Sequence, residues 1–258
     1  MYYLMTNKGM MLHLEQALEA LLDYNVIFSG EEHDSRVAHE VELTLLTELI
    51  GRDASLVLAL EMFERDVQDS LNAYLKGTIS EDKFLELSRP WPNYEEDYRP
   101  LVELAKARGI PVIAANVPRR TAAGVAMTDE ISSDVAGKDS MYLPPTLHLD
   151  SEEYYERFAA LMKKMPHSAP MKGLNVKALY KAQVLKDAVM AASLEPFLDH
   201  HILFCCGRFH CDYHLGIPYQ LQKNHPALKV AVVVCAESVT GLPMKGRSRI
   251  ADFIWIDN

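Results

Sequence analysis

The sequence predicts an α/β protein with a mainly parallel sheet flanked by helices and with a smaller helical insertion. Short apolar runs alternate with stretches of helical spacing, which is typical of a parallel sheet covered by helices. One run, Val230–Val234, is apolar throughout, as expected of a strand buried on both faces. Residues 121–198 break the alternation and contain no convincing strand. We therefore predict a sheet domain over 1–120 and 199–258 and a helical insertion subdomain over 121–198.

The first half of the chain contains three predicted strands. Leucines at helical spacing precede a strand over about residues 25–29, and the helix after it ends near Gly51. A second strand at 56–60 is followed by a helix that Gly77 stops. The third strand, at 111–117, follows a helix with a glycine as its expected cap. In parallel sheets of this kind, ligands bind beyond the carboxyl ends of the strands.

The second half of the chain begins with the insertion and then returns to strands. Two helices are predicted in the insertion, at Ser151–Met165 and Val176–Leu194, and acidic residues at the start of the first suit the positive end of a helix. Strands are predicted again at Ile202–Cys206, at 228–234 and at 252–256. Segments from both sides of the insertion therefore build the sheet.

Composition limits the partners that the chain can have. The 258 residues carry a formal net charge of −10, which disfavours nucleic acid because phosphate binding depends on clustered Lys and Arg. No stretch approaches the ~20 apolar residues that span a bilayer, and the first residues show no secretory signal. The four cysteines lie in the last quarter and are expected to be buried and reduced. These features predict a cytoplasmic protein without a transmembrane segment.

Two distant segments share one layout, in which an apolar run is followed by Gly, two residues and His. They are Gly30-Glu31-Glu32-His33 and Gly207-Arg208-Phe209-His210. A glycine at the end of a buried strand lets backbone approach a ligand closely. Between them, a third apolar run stops at Glu61. The repetition predicts one pocket that contains His33, His210 and Glu61, although a single histidine after a strand is more often a hydrogen-bonded loop residue.

The same residues suit hydrolytic chemistry. His33 can take a proton from water, with Glu61 orienting it or acting as the base and His210 stabilising charge. A divalent metal ion bound by His33, His210 and either Glu31 or Glu61 would keep an open position for water. No serine stands in a Gly-x-Ser-x-Gly turn, so the residues assign no nucleophile. Whether the chain is an enzyme is left open.

A purely structural interpretation uses an overlapping set. Six polar residues can pair with one another across the sheet edge and the nearby helices, since buried ionisable groups need partners. They are Glu31, His33, Glu61, Arg65, Gln183 and Asp187. On this hypothesis the network fastens the helical insertion to the sheet and performs no chemistry.

Six motifs, in this order along the chain, resemble one protein family. They are Gly30-Glu31-Glu32-His33-Asp34, Leu60-Glu61-Met62-Phe63 with Arg65 and Gln68, Tyr98-Arg99-Pro100, Ala115-Asn116-Val117-Pro118-Arg119, Ala182-Gln183 with Asp187 and Met190-Ala191, and Gly207 with His210 and Gly216-Ile217-Pro218. The series spans about residues 26–256 and is similar to the ChaN-like haem-binding proteins, which belong with the Tiki, TraB and erythromycin-esterase-like proteins. The resemblance implies a parallel α/β domain with a smaller helical part. It also implies non-covalent haem binding in iron uptake or handling.

A haem site needs an axial iron donor, an apolar wall and polar groups for the propionates. Under the resemblance we expect Tyr213 to be the iron ligand, and Arg208 to pair with a propionate. Tyrosines in the helical insertion are rival iron ligands: Tyr142, Tyr154 and Tyr155. The expected haem-binding set is Tyr213, His210, His214, Arg208, His33, Glu31, Glu61, Arg65, Gln183 and Asp187.

Three apolar residues form a stripe at helical spacing, which suits either a porphyrin face or core packing. They are Phe158, Met162 and Met165. An open haem face would favour pairing of two chains, so a homodimer is a further expectation.

The chain departs from the family pattern in two respects. Members are often exported lipoproteins, so the resemblance implies an envelope location if an N-terminal segment has been removed. The segment after the late glycine usually reads Gly-Asn-Gly-His, whereas Arg208 and Phe209 stand there in this chain.

Overall fold

The computed structural model describes residues 3–164, 175–235 and 249–256 and confirms the predicted α/β fold. The strands are β1 (Tyr3–Thr6), β2 (Met11–His13), β3 (Val26–Glu31), β4 (Val57–Glu64), β5 (Val112–Asn116), β6 (Ile202–Gly207), β7 (Val230–Cys235) and β8 (Phe253–Ile256). They form one sheet in the order β2-β1-β8-β7-β3-β6-β4-β5. Strands β3 to β8 are parallel to one another, while β1 runs antiparallel to β2 and β8.

Helices connect the strands and cover the sheet. They are α1 (Leu14–Leu21), α2 (Arg36–Ile50), α3 (Gln68–Leu75), α4 (Glu81–Ser88), α5 (Arg99–Arg108), α6 (Arg119–Thr128), α7 (Ser133–Ala136), α8 (Glu152–Lys164), α9 (Val176–Ser193) and α10 (Ile217–Asn224). Local signals set their ends. The side chain of Ser35 caps α2 by accepting a hydrogen bond from the Ala38 amide, and Gly109 ends α5 with a left-handed φ of 68°.

The sequence pattern missed two features of the sheet. The antiparallel hairpin of β1 and β2 gave no periodic signal, because β2 has only three residues and Met11 is half exposed. Strand β4 does not stop at Leu60 but continues to Glu64, with an irregular register against β5 between these two residues. A polar residue can be accommodated at such an irregularity, which is why Glu61 lies within the strand.

Helix α9 joins the helical region to the sheet. Its C-terminal part places Met190 and Ala191 in the apolar layer under the strands. Its N-terminal part packs Leu179 and Val184 against the aromatic side chains of α8. Within the described residues of 121–198 there is no strand. The division of the chain into a sheet domain and an insertion subdomain at these limits stays a prediction.

Two further features of the fold are the state of its cysteines and the character of its helices. All four cysteines are buried, and none of them forms a disulfide in the described residues. Across the residues that the structure covers, none of the helices combines the length and apolarity that a membrane crossing requires.

Candidate functional site

The strand order brings the two Gly-x-x-His segments together. Strand β6 lies between β3 and β4, and Glu31 at the end of β3 is in register with Gly207 at the end of β6. On the other side of β6, Leu60 is in register with Cys205. Glu31, Glu61 and the turn after Gly207 therefore lie side by side at the carboxyl edge of the sheet.

Each glycine of the two segments is covered by the other segment. A Cβ atom at Gly207 would lie 2.7 Å from Cε1 and 2.8 Å from Nε2 of His33. A Cβ atom at Gly30 would lie 2.8 Å from Sγ of Cys211 and 3.2 Å from Cβ of Arg208. Close packing of the two turns thus requires glycine at both positions.

His210 is buried between two carboxylates. Its Nδ1 lies 2.5 Å from Asp187 and its Nε2 lies 3.2 Å from Glu61. Burial alone would lower the pKa of His210, but the charges of Glu61 and Asp187 and its hydrogen bonds to them raise that pKa to about 10. The ring is therefore an imidazolium, and neither nitrogen is free to bind a metal.

The two acids around His210 have further partners. Glu61 accepts a 2.7 Å hydrogen bond from the Gly207 amide. Burial alone would raise the pKa of Glu61, but the charge of His210, its hydrogen bond and the charge of His33 lower that pKa to about 2. Asp187 accepts a 2.7 Å hydrogen bond from the Tyr154 hydroxyl. This set shares Glu61 and Asp187 with the structural-network hypothesis and ties α8 and α9 to the sheet, but it is centred on His210 and does not include Arg65.

His33 has a different environment. Its side chain is 45% exposed, and its Nδ1 lies 2.7 Å from Oε1 of Glu31, while the described residues supply no hydrogen bond to Nε2. Burial lowers the pKa of His33, but the hydrogen bond to Glu31 and the charges of Glu61 and Glu31 raise it above its ordinary value. The Trp91 ring packs edge-on against the imidazole, with ring centroids 4.9 Å apart.

A cavity of about 1110 Å³ lies between this edge of the sheet and the helices α6, α8 and α9. His33, His210, Glu31, Gln183 and Arg208 line it. Its wall is mostly apolar and includes Ala122, Ala126, Phe158, Leu161, Met162 and Leu179. Phe158 and Met162 thus face the cavity as the stripe predicted, whereas Met165 falls outside the described residues.

Several predicted site residues lie elsewhere. Tyr213 packs under the guanidinium of Arg157, 3.4 Å from its Cζ to the ring centroid, and lines a smaller neighbouring cavity. His214 lies 2.9 Å from Asp252. The chain turns away after His210, with left-handed φ angles of 62° at Tyr213 and 58° at His214.

The remaining predicted residues are also engaged outside the cavity. The Arg65 guanidinium lies over the Tyr142 ring, 5.6 Å from its centroid. Tyr154 is held by Asp187, and Tyr155 packs edge-on against Tyr180. No tyrosine lines the main cavity in the described part of the chain.

Three residues behind His33 were not predicted as site residues, although Tyr98 stands in one of the six motifs. The Tyr98 hydroxyl donates a 2.8 Å hydrogen bond to Oε1 of Glu31, and Nδ1 of His39 lies 2.8 Å from Oε2 of the same carboxylate. Glu42 is fully buried one turn further along α2. The available signal was the presence of His39 and Glu42 next to the apolar face marked by Val41 and Leu45.

The parallel sheet with acids and histidines at its carboxyl edge defines a class of α/β proteins with a site at the end of the strands. The family model described as "Haem-binding uptake, Tiki superfamily, ChaN" matches residues 17–221, so the chain belongs to this family. The resemblance drawn from the six motifs is thereby confirmed.

A curated plant protein is similar to this chain in sequence. The chain is 24% identical over 255 residues to RETICULATA-RELATED 5, chloroplastic, of Arabidopsis thaliana. That match covers 92% of this chain but 34% of the relative, so the chain spans about a third of the relative's length.

Two solved structures share the fold. A ChaN structure from Campylobacter jejuni, described as showing cofacial heme binding, has a TM-score of 0.76 and 19% identity, covering 99% of this chain and 96% of that one. The H289N mutant of the erythromycin esterase EreC, in its open conformation, has a TM-score of 0.52 and 12% identity, covering 86% of this chain and 72% of that one. At these identities the likeness concerns the fold.

Proposed function

We propose that the chain binds haem non-covalently in the cavity between the sheet edge and helices α6, α8 and α9, as part of haem or iron handling. The observation that carries the proposal is the combination of an apolar wall, two cationic side chains without ion pairs and one imidazole with an uncommitted nitrogen. Membership of a haem-binding uptake family supports it.

The size and lining of the cavity fit a large apolar ligand. Its volume of about 1110 Å³ exceeds the ~300–1,000 Å³ usual for a drug-sized molecule. Phe158, Leu161 and Met162 offer aromatic and flexible apolar contacts on one wall. Small alanines of α6 form another part of the wall, which leaves room for a flat macrocycle.

Cations at the cavity fit the propionates. Arg119 and Lys186 line it, and neither forms an ion pair with an acid in the described residues. Arg208, expected to hold a propionate, is already paired with Glu32 at 3.2 Å and Asp212 at 2.9 Å. We therefore assign the propionates to Arg119 and Lys186, because a cation without a carboxylate partner is available to an anionic ligand.

His33 is the residue that fits the iron. Bound ferric haem would supply a Lewis-acidic iron that takes one or two axial donors. The carboxylate of Glu31 holds Nδ1 of His33, which favours the tautomer with a free Nε2. His210 does not fit, because both of its nitrogens lie against carboxylates. Since the charged form of His33 is stabilised, loss of its proton accompanies ligation, and affinity for hemin is expected to fall at acidic pH.

Titration with hemin tests the proposal. We expect a saturable, shifted Soret band for the wild-type chain and at least a tenfold weaker affinity for His33→Ala. Arg119→Ala combined with Lys186→Ala is expected to weaken binding without changing the iron coordination spectrum. Arg36→Ala, an exposed change on α2, is the matched control and should bind as the wild type does. An unshifted Soret band at micromolar hemin would contradict haem binding.

The hydrolytic alternative stays a prediction. The likeness to an erythromycin esterase structure concerns the fold, and both nitrogens of His210 lie against acids, so the proposed His33, His210 and Glu61 metal set lacks one donor. Turnover of a small ester that is abolished in His33→Ala, together with no hemin binding, would favour hydrolysis instead. Sedimentation of the hemin complex would test the expected homodimer.

A further inference from the structure

A second group of acids and a histidine lies behind His33. Glu31, His39 and Glu42 each offer one ligand atom, and these atoms all lie within 4.8 Å of one another. The three residues are 1%, 7% and 0% exposed. We call this trio the buried triad. It is distinct from the His33, His210 and Glu61 set that the sequence predicts as a metal site.

The second oxygen of Glu31 points into the buried triad. Its Oε1 is occupied by the Tyr98 hydroxyl at 2.8 Å and by His33 at 2.7 Å. Its Oε2 has no hydrogen-bond partner in the described residues and lies 2.8 Å from Nδ1 of His39. One oxygen of Glu31 therefore belongs to the haem cavity and the other to the triad.

His39 is oriented by groups on its far side. Its Nε2 lies 3.4 Å from the His33 carbonyl oxygen and 3.5 Å from Oδ2 of Asp97. Both of these oxygens only accept, so Nε2 carries a hydrogen. In the neutral ring, the lone pair of Nδ1 then faces the carboxylates of Glu31 and Glu42. Such an arrangement is stable only if a cation or an additional proton stands between them.

Glu42 supplies the strongest indication of a missing partner. Neither of its oxygens has a hydrogen-bond partner in the part of the chain that the structure describes. Its polar neighbours include Nδ1 of His39, 3.7 Å away, and the buried thiol of Cys205. A buried carboxylate is normally paired or bound to a metal, because burial of its charge is costly. Burial and the charge of Glu31 raise the pKa of Glu42 well above its usual range.

We propose that the buried triad binds one first-row divalent cation through Oε2 of Glu31, Nδ1 of His39 and a carboxylate oxygen of Glu42. A tetrahedral Zn²⁺ with ligands at about 2.1 Å separates its donor atoms by roughly 3.4 Å. Nδ1 of His39 lies 2.8 Å from Glu31 and 3.7 Å from Glu42, which brackets that spacing. One imidazole and two carboxylates suit zinc or manganese better than magnesium or calcium.

The buried triad borders the main cavity. Glu31 and Asp97 both line the cavity wall and both contact His39. Asp97 and the His33 carbonyl act as outer partners that fix the ring of His39. Its ligand atoms differ from those assigned to the propionates and iron, although the Glu31 carboxylate also orients His33 through its other oxygen.

Calorimetry with Zn²⁺ alone, on haem-free protein stripped by a chelator, tests the proposal. We expect one equivalent to bind to the wild type, with Glu42→Gln and His39→Gln each weakening the affinity at least tenfold. Glu40→Gln is the matched control on α2, because Glu40 is exposed and pairs with Arg36, and it should bind as the wild type does. Zinc absorption spectroscopy on the wild type should show one imidazole nitrogen and carboxylate oxygens and no sulfur. This spectrum is recorded on the wild type, so it does not depend on whether any variant folds.

The competing occupant is a proton. Burial alone would lower the pKa of His39, but the carboxylates of Glu31 and Glu42, 2.8 Å and 3.7 Å from its Nδ1, raise that pKa to about 10. If protons alone occupy the triad, the wild type binds no Zn²⁺, and Glu42→Gln leaves the melting temperature unchanged or higher. That result, or binding equally tight in Glu42→Gln and the wild type, would overturn the proposal.

Discussion

The two Gly-x-x-His turns share a sequence pattern but differ in their surroundings. His33 is 45% exposed and has one nitrogen held by an acid, whereas the side chain of His210 is 8% exposed and has both nitrogens held. The difference comes from α9, which brings Asp187 to His210 and no equivalent acid to His33. A repeated motif therefore specifies the position of a histidine, while the elements packed on it decide whether one or both ring nitrogens lie against an acid.

Removal of the two rings should produce the largest contrast. His210→Ala leaves Glu61 and Asp187 buried without their cation, and breaking a buried pair in this way costs about 3–5 kcal/mol. We expect His33→Ala to cost about 1 kcal/mol or less in the free energy of unfolding, because the side chain is half exposed. Urea denaturation measures the free energy of unfolding of both variants, with His214→Ala as a control. Equal losses in the free energy of unfolding for the two variants would contradict the difference between the two histidines.

The dependence of stability on pH should sharpen the same contrast. The pKa of His210 rises from 6.5 to about 10 on folding, so its contribution is complete below about pH 6.5 and is lost as the pH rises through 10. The pKa of Glu61 falls from 4.5 to about 2, so its contribution is present above pH 4.5 and is lost as the pH falls through 2. Between pH 7 and 10 the wild type should lose up to roughly 1.4 kcal/mol per pH unit relative to His210→Gln. A constant difference between the two unfolding curves would contradict the assignment of His210 as an imidazolium.

A methyl group at Gly207 should disturb His33 and leave the His210 pair intact. Its Cβ would lie 2.7 Å from Cε1 of His33, so the ring must shift. We expect Gly207→Ala to weaken hemin binding roughly tenfold, which corresponds to about 1.4 kcal/mol, with a smaller change in stability. Gly51→Ala, where the nearest atom is 3.6 Å away, is the control. Unchanged hemin affinity in Gly207→Ala would contradict a role for His33 in haem binding.

The smallest effect is expected at Tyr213. Its ring lies under Arg157 and lines the neighbouring cavity, so Tyr213→Phe should leave the hemin spectrum and affinity unchanged. A lost or shifted ligand-to-metal band in that variant would restore Tyr213 as the iron ligand and remove His33 from this role.

The positions of the six parallel strands followed from apolar runs, whereas the β1–β2 hairpin and several helices, α6 among them, did not. The two glycine motifs correctly indicated that distant strands end at one edge. The partners of the histidines did not follow. Whether Asp187 reaches His210 depends on the angle at which α9 crosses the sheet, and whether Tyr213 enters the cavity depends on two left-handed residues after His210. His39 and Glu42 were overlooked because a buried polar pair beside an apolar helix face is visible only when the whole face is counted.

The mutual covering of Gly30 and Gly207 has a consequence for the order of folding. The amide of Gly207 reaches Glu61 across 146 positions of the chain, and neither glycine turn has its packing neighbour until the other has arrived. Contacts this distant form late, since loop closure precedes them. A chain that has been synthesised only as far as β5 therefore lacks the turn after Gly207, and the edge of the sheet around Gly30 is incomplete.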